Sequence, residues 1–252
     1  AEKGYQMPQF DIEAVRAKTH EAPTWVHFGA GNLFRAFPAA VLQQVLDSGK
    51  YDRGVIVAEG FDFEIIDRAY APYDNLSLLV CLQSDGNIRK KVIASVTESL
   101  KADAQFEADW ARLAEIFANP SLQMISFTIT EKGYGVAPAD LERGLKPVLI
   151  MGKVTLLLYE RFLSGKLPLT VQSMDNCSHN GEKLQAAVLE IARAWKDNGK
   201  ISAEDLEFLE TKIAFPWSMI DKITPRPHPV VEEQLIADGV EEVSPFVTTK
   251  HT

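Results

Sequence analysis

Two short apolar runs flanking a glycine-bearing helix leave this chain few folds to adopt. "TWVHF" (24–28) and "GVIVAEG" (54–60) each read as a strand buried on both faces. Between them, "GAGNLFRAF" (29–37) opens a segment in which Leu33, Phe37, Val41, Leu42 and Val45 recur at helical spacing. That spacing predicts a helix over 32–46, stopped at "SGK" (48–50) with Gly49 as its C-cap. Strand, glycine turn, helix and strand make a βαβ unit, whose two strands must run parallel.

The rest of the chain continues the alternation. "LSLLVCL" (76–82) and "IRKKVIASV" (88–96) are predicted as an antiparallel hairpin turning at Asp85-Gly86. A helix is expected from about 104 to 117, with Phe106, Trp110, Leu113, Ile116 and Phe117 on one face. "LQMISFTI" (122–129) reads as a strand, 145–164 as a helix, and "LPLTVQSM" (167–174) as a further strand. Helices over 182–197 and 203–212 follow, and then the proline-rich, irregular "FPWSMIDKITPRPHP" (215–229). The expected class is α/β: a doubly wound, mostly parallel Rossmann-type sheet with an antiparallel hairpin insertion. Residues 1–252 are read as one dinucleotide-binding domain, with 215–252 leading towards a substrate domain.

Composition removes several classes of function. A net charge of −9, with no basic stripe, argues against a nucleic-acid partner. The longest apolar runs, such as "VTLLLY" (154–159), are too short to span a membrane, and "AEKGYQMPQF" (1–10) lacks a signal-peptide core. Cys81 and Cys177 belong to no C-x-x-C unit, so two reduced thiols in a cytoplasmic protein are expected. Five scattered histidines without ligand spacing predict no metal site.

In an open α/β sheet ligands bind at the carboxyl ends of the strands. Four such ends pair a glycine with a polar or charged residue: "GAGNLFR", "AEG", "TEKGYG" and "DNCSHNG". Gly29 and Gly31 would form the tight turn and admit a pyrophosphate against a helix N-terminus. Phe34 stands where a dinucleotide fingerprint has its third glycine, so helix–strand packing there must differ. Arg35 opposes the macrodipole in the first turn, which makes it a candidate anion contact. Glu59 ends the second strand, where a carboxylate accepts from a ribose 2′-OH and repels a 2′-phosphate, favouring NAD over NADP. Asp62 competes for that role but reads better as a solvated turn residue.

Within "DNCSHNG" (175–181), Asn176 could polarise a carbonyl, Asp175 could orient an asparagine, and Asn180 could cap the following helix. His179 reads as structural, and Cys177 lacks a base to activate it. Asp221 sits beside Lys222 in a proline-bounded loop.

Taken together, "GAGNLFRAF", "TITEKGYG", "SMDNCSHNG" and "FPWSMIDKITP", in that order over 27–225, resemble the polyol-specific long-chain dehydrogenases, the mannitol dehydrogenase family. That family's fingerprint is G-x-G-x-F-x-R, so the resemblance makes Phe34 a regular member of the loop. It implies an NAD(P)-dependent oxidoreductase interconverting a secondary alcohol and a ketone on a small open-chain sugar acid or polyol. Cofactor contacts would come from Gly29, Gly31, Asn32, Phe34, Arg35 and Glu59, with Thr130, Glu131 and Lys132 near the nicotinamide side. Asn176 would help to hold the reacting oxygen, and Asp221 would support a catalytic lysine. In the family that lysine sits in a helical C-terminal domain, expected to be absent from this chain; Lys250 and His251 do not match its spacing. The overall look favours a hexuronate reductase, with Arg35 or Arg226 as contributors to a carboxylate pocket. A mannitol-type dehydrogenase, a non-catalytic nucleotide-binding module and a methyltransferase are the alternatives, the last opposed by the two C-terminal motifs.

Overall fold

A computed structural model of the chain describes residues 3–83, 85–225, 229–241 and 246–250. In chain order the elements are β1 (Tyr5–Gln6), α1 (Ile12–Glu21), β2 (Trp25–Phe28), α2 (Asn32–Ala36), α3 (Pro38–Asp47), β3 (Val55–Glu59) and α4 (Glu64–Ala69). Then come β4 (Ser77–Leu82), β5 (Ile88–Ile93), β6 (Val96–Lys101), α5 (Glu107–Ala118), β7 (Met124–Phe127), α6 (Pro138–Glu142) and α7 (Ile150–Leu163). The chain continues with β8 (Leu169–Ser173), α8 (Asn180–Asp197), α9 (Ala203–Thr211), β9 (Ile213–Ala214), α10 (Pro229–Ala237) and β10 (Phe246–Lys250).

Six strands form one wholly parallel sheet in the order β6-β3-β2-β7-β8-β9. This is the order of a doubly wound dinucleotide sheet, with the first strand, β2, at its centre. Both faces are covered. On β3, Ile56 and Ala58 enter the core packed by α5, α7 and α8, while Val55 and Val57 enter the core packed by α2 and α3. Alternation within an unbroken apolar run is what a strand buried on both faces requires. Between β3 and β6 the chain makes β4 and β5, the middle strands of a second, four-stranded sheet in the order β1-β5-β4-β10. Its centre is the expected antiparallel hairpin β4–β5, with Gly86 at φ +83° in the turn. Leu78 and Val80 of β4 pack against Val231 and Leu235 of α10.

Three expected boundaries change. The single helix over 32–46 is two helices, broken at Phe37 (φ −122°, ψ −72°), because Pro38 has no N–H and disfavours helical geometry in the residue before it. Gly49 does follow the second of them at φ +70°. The run 88–96 is not one hairpin strand: β5 stops at Ile93, and Val96 starts β6, which pairs in parallel with β3 in the main sheet. The helix expected from 145 begins at Ile150, after Pro147. Cys81 and Cys177 are both free thiols. Among the described residues, no helix is long and apolar enough to cross a membrane.

Candidate functional site at the carboxyl edge of the sheet

Because β3, β2, β7 and β8 are parallel neighbours, the four polar strand ends lie side by side on one edge. Hydrogen bonds join them in pairs. Gly29 N–H donates to Ala58 O (2.9 Å), and Ala30 N–H donates to Glu59 Oε2 (2.8 Å). Glu59 Oε1 accepts from the N–H groups of Phe61 (2.9 Å) and Asp62 (3.3 Å). Tyr70, fully buried and raised above the ordinary phenol range by that burial, donates to Ala30 O (2.8 Å). The glycine loop is thus pinned through both polar groups of Ala30.

The two glycines have different physical reasons. Gly29 has φ +109°, and a Cβ there would overlap Thr128 O at 2.2 Å. The close approach of β2 and β7 therefore demands glycine by itself. Gly31 has φ −72°, and nothing lies within 4 Å of an added Cβ. The local fold does not require glycine here, and the space beside its backbone is open.

Phe34 explains the altered fingerprint. It is fully buried and stacks on the His27 ring (4.4 Å between centroids, 12° between planes), filling the gap that a third glycine would have closed. His27 Nδ1 is bonded to Ser126 Oγ (2.7 Å) and Nε2 to Thr128 Oγ1 (2.8 Å), which a neutral ring satisfies with one donor and one acceptor. Burial lowers its pKa to about 3. The folded protein therefore keeps this ring neutral, while the unfolded chain takes up a proton below pH 6.5. The contribution of His27 to stability is complete above pH 6.5 and is expected to fall by about 1.4 kcal/mol per pH unit as pH drops from 6.5 towards 3. Urea denaturation of wild type and His27→Gln across that range checks this, the difference between the two profiles carrying the slope.

Arg35 departs from the expectation of an open anion contact. It is buried, its Nη2 donates to Asn32 Oδ1 (2.6 Å), and its guanidinium lies over the Tyr70 ring at 5.7 Å. Burial holds its pKa below the usual arginine range. In the seam between glycine loop and helix, Arg35 and Asn32 brace each other. Asp62 is exposed and sits 3.9 Å from Arg68, as a solvated turn residue would. Arg226 lies outside the described residues, as do His251 and the side chain of Lys250.

On the other side of β2, Asp175 ties two motifs together. Its carboxylate accepts from the N–H groups of Ile129 (3.0 Å) and Thr130 (2.9 Å) and from Tyr134 Oη (2.6 Å). Thr130 is held at φ +65°, a conformation that a β-branched residue keeps only when its surroundings enforce it. Burial, reinforced by the Asp175 charge, raises the Tyr134 phenol above its usual range. The carboxylate thus positions the "TEKGYG" turn, not an asparagine side chain. On the outer face of that turn, Thr130, Glu131 and Lys132 are exposed, and Glu131 pairs with Lys183, which lowers the Glu131 pKa.

Asn180 is not a helix cap. His179 holds the N-cap position at φ +56° without a side-chain cap, stacked edge-on against Trp217 (4.6 Å). Asn180 is buried and donates to Asp175 O (2.9 Å) and Ser218 O (2.5 Å), fastening the segment 215–221 to the end of β8. A Cβ on Gly181 would strike Trp217 Cδ1 (2.4 Å) and Phe215 O (2.6 Å), so "HNG" and "FPW" are complementary surfaces. Ile220 N–H donates to Met174 O (3.0 Å), which brings Asp221 beside the turn that carries Asn176. Both Asn176 and Asp221 are exposed on this edge. Burial raises the Cys177 thiol, in keeping with a non-nucleophilic cysteine. Tyr70, Tyr134 and His27 were not legible as site supports. Only Tyr134 lies within a recognisable motif, and its partner is 41 residues away.

An open parallel sheet whose central strand ends in a pinned glycine loop, with an acid at the end of the next strand, defines a dinucleotide-type α/β domain. The chain belongs to the mannitol dehydrogenase family: residues 23–251 match the mannitol dehydrogenase Rossmann domain. It is 48% identical to the D-mannonate oxidoreductase of Thermotoga maritima, over 99% of this chain and 48% of that protein. It is 29% identical to the polyol:NADP oxidoreductase of Gluconobacter oxydans, over 96% of this chain and 50% of that protein. The fold superposes on Pseudomonas fluorescens mannitol 2-dehydrogenase, solved as a ternary complex with NAD and D-mannitol, with a TM-score of 0.80. That match has 25% identity and covers 98% of this chain and 50% of that one. The chain spans about half the length of the curated relatives it matches.

Proposed function

We propose that these residues form the cofactor-binding part of an NAD-dependent reductase interconverting a keto sugar acid and its hydroxy acid, of the fructuronate/mannonate type. The observation that carries the reading is the pairing of Gly31, open beside its backbone, with Glu59 on the adjacent strand end. Pyrophosphate would lie against Gly31 and Asn32 at the start of α2, over a floor set by Gly29, Phe34 and Arg35. Glu59 uses three of its roughly four acceptor sites on backbone N–H groups, which leaves room for a ribose hydroxyl. Its charge disfavours the 2′-phosphate of NADP.

When bound, the nicotinamide would supply the hydride. Thr130, Glu131 and Lys132 would border it, Asn176 would donate to the reacting oxygen, and Asp221 would support a general-acid lysine. No residue among 1–252 is assigned as that lysine. The sugar-acid substrate rests on the 48% identity to a D-mannonate oxidoreductase, against 30% for a mannitol 2-dehydrogenase of Cereibacter sphaeroides, which makes a polyol the second choice.

The 252-residue polypeptide is expected to bind NADH, read by quenching of tryptophan emission. NADPH should bind at least tenfold more weakly, and Glu59→Gln should narrow the gap. Turnover of fructuronate by this polypeptide alone should be slight. Equal affinity for the two cofactors would overturn the role of Glu59; absence of NADH binding would overturn the whole reading.

A further inference from the structure

Phe61 is 91% exposed, more than any other large apolar side chain among the described residues. It stands on a turn held from every side. Phe61 N–H donates to Glu59 Oε1, and Gly60 O accepts from Lys153 Nζ (3.3 Å). Lys153 is itself buried, paired with Asp103 (2.5 Å), and lies over the Phe63 ring at 5.5 Å. Phe63 packs edge-on against Phe106 at 5.0 Å. The backbone from 59 to 63 is therefore braced by an ion pair, an aromatic pair and a carboxylate, while one phenyl ring in the middle of it faces solvent. Of the two aromatic residues on this turn, Phe63 is packed and Phe61 is presented.

We infer that Phe61 is the stacking platform for the purine base of the dinucleotide; this rests on the cofactor reading of the carboxyl edge. Glu59 is continuous with both features: one oxygen reaches the glycine loop at Ala30, and the other holds the N–H of Phe61 itself. A ribose bonded to Glu59, with its phosphates towards Gly31, projects its base to the opposite side, where the chain continues as Gly60–Phe61. An aromatic face there recognises a π-system without hydrogen bonds, so it tolerates exchange of one purine for another.

The test is equilibrium binding of NADH and of ADP-ribose, which lacks the nicotinamide, to wild type, Phe61→Ala and Phe61→Trp. The exposed position keeps the melting temperature of both variants at the wild-type value. Phe61→Ala should weaken both ligands by about tenfold or more, and Phe61→Trp should restore affinity, with an indole emission that ADP-ribose quenches. The hypoxanthine analogue of NADH should bind within a few-fold of NADH. Wild type that binds NADH while Phe61→Ala binds it within twofold of wild type would overturn this inference and leave the cofactor reading standing. Altered self-association of Phe61→Ala with unchanged nucleotide binding would do the same, assigning the ring to a protein contact. Failure of wild type to bind either ligand would overturn both.

Discussion

Gly29→Ala should lower the melting temperature by roughly 10 °C, while Gly31→Ala, two residues on, should leave it nearly unchanged. At Gly29 a methyl group meets Thr128 O at 2.2 Å, and the backbone sits at φ +109°. Strain plus overlap should cost about 3–5 kcal/mol, and each kcal/mol corresponds to roughly 2–4 °C in a chain of this size. At Gly31 the backbone has ordinary φ and no atom is near. Alanine is a poorer N-cap than glycine but restricts the unfolded chain, so the net change should stay within about 1 kcal/mol. The same Gly31→Ala variant should weaken NADH binding tenfold or more, because its methyl group occupies the space proposed for the pyrophosphate. Calorimetric melting and NADH titration of both variants separate the two roles. Comparable destabilisation by the two would refute the division.

The second large effect is expected at Asp175. Replacing it by alanine leaves the N–H groups of Ile129 and Thr130 without their acceptor, while the buried Tyr134 hydroxyl keeps only Ser173 Oγ. Unpaired groups of this kind cost about 1–3 kcal/mol each, so a loss of about 4 kcal/mol in urea denaturation is expected. Asp175→Asn should lose about half as much, since an amide keeps one acceptor but turns a donor towards a backbone N–H. With the carboxylate gone, the bond on the Thr130 N–H that helps to hold it at φ +65° is lost, so the "TEKGYG" turn should relax and NADH affinity should fall as well. Asn176→Ala, one residue away but exposed, should keep wild-type stability. Wild-type stability of Asp175→Ala would refute the anchoring role.

The main sheet was legible because its strands are buried on both faces, so "TWVHF", "GVIVAEG" and "LQMISFTI" stand out as apolar runs ending in polar turns. β6 was not: "VTESLK" carries four polar or charged residues beside two apolar ones, as an edge strand can, and the hydrophobic run before it concealed the boundary. The break at Phe37 had its signal in Pro38, but the helical periodicity continues across it, since α2 and α3 pack on the same core. Asparagine at a helix start serves equally well as a cap or as a buried tie, and for Asn180 only the positions of Asp175 O and Ser218 O decide. The place of Arg35 in the helix suggests an anion contact, whereas its fate is set by Tyr70, which no local pattern links to it. Long-range partners account for most of what the motifs did not reveal.

The central claim is that the carboxyl edge around Gly31 and Glu59 holds a dinucleotide. A crystal structure of the chain with NADH tests it directly. The account predicts pyrophosphate density against the backbone of Gly31 and Asn32, with the adenosine ribose on the Glu59 carboxylate. Ordered NADH elsewhere, such as the amino-terminal edge near Leu169 and Ile213, would contradict it.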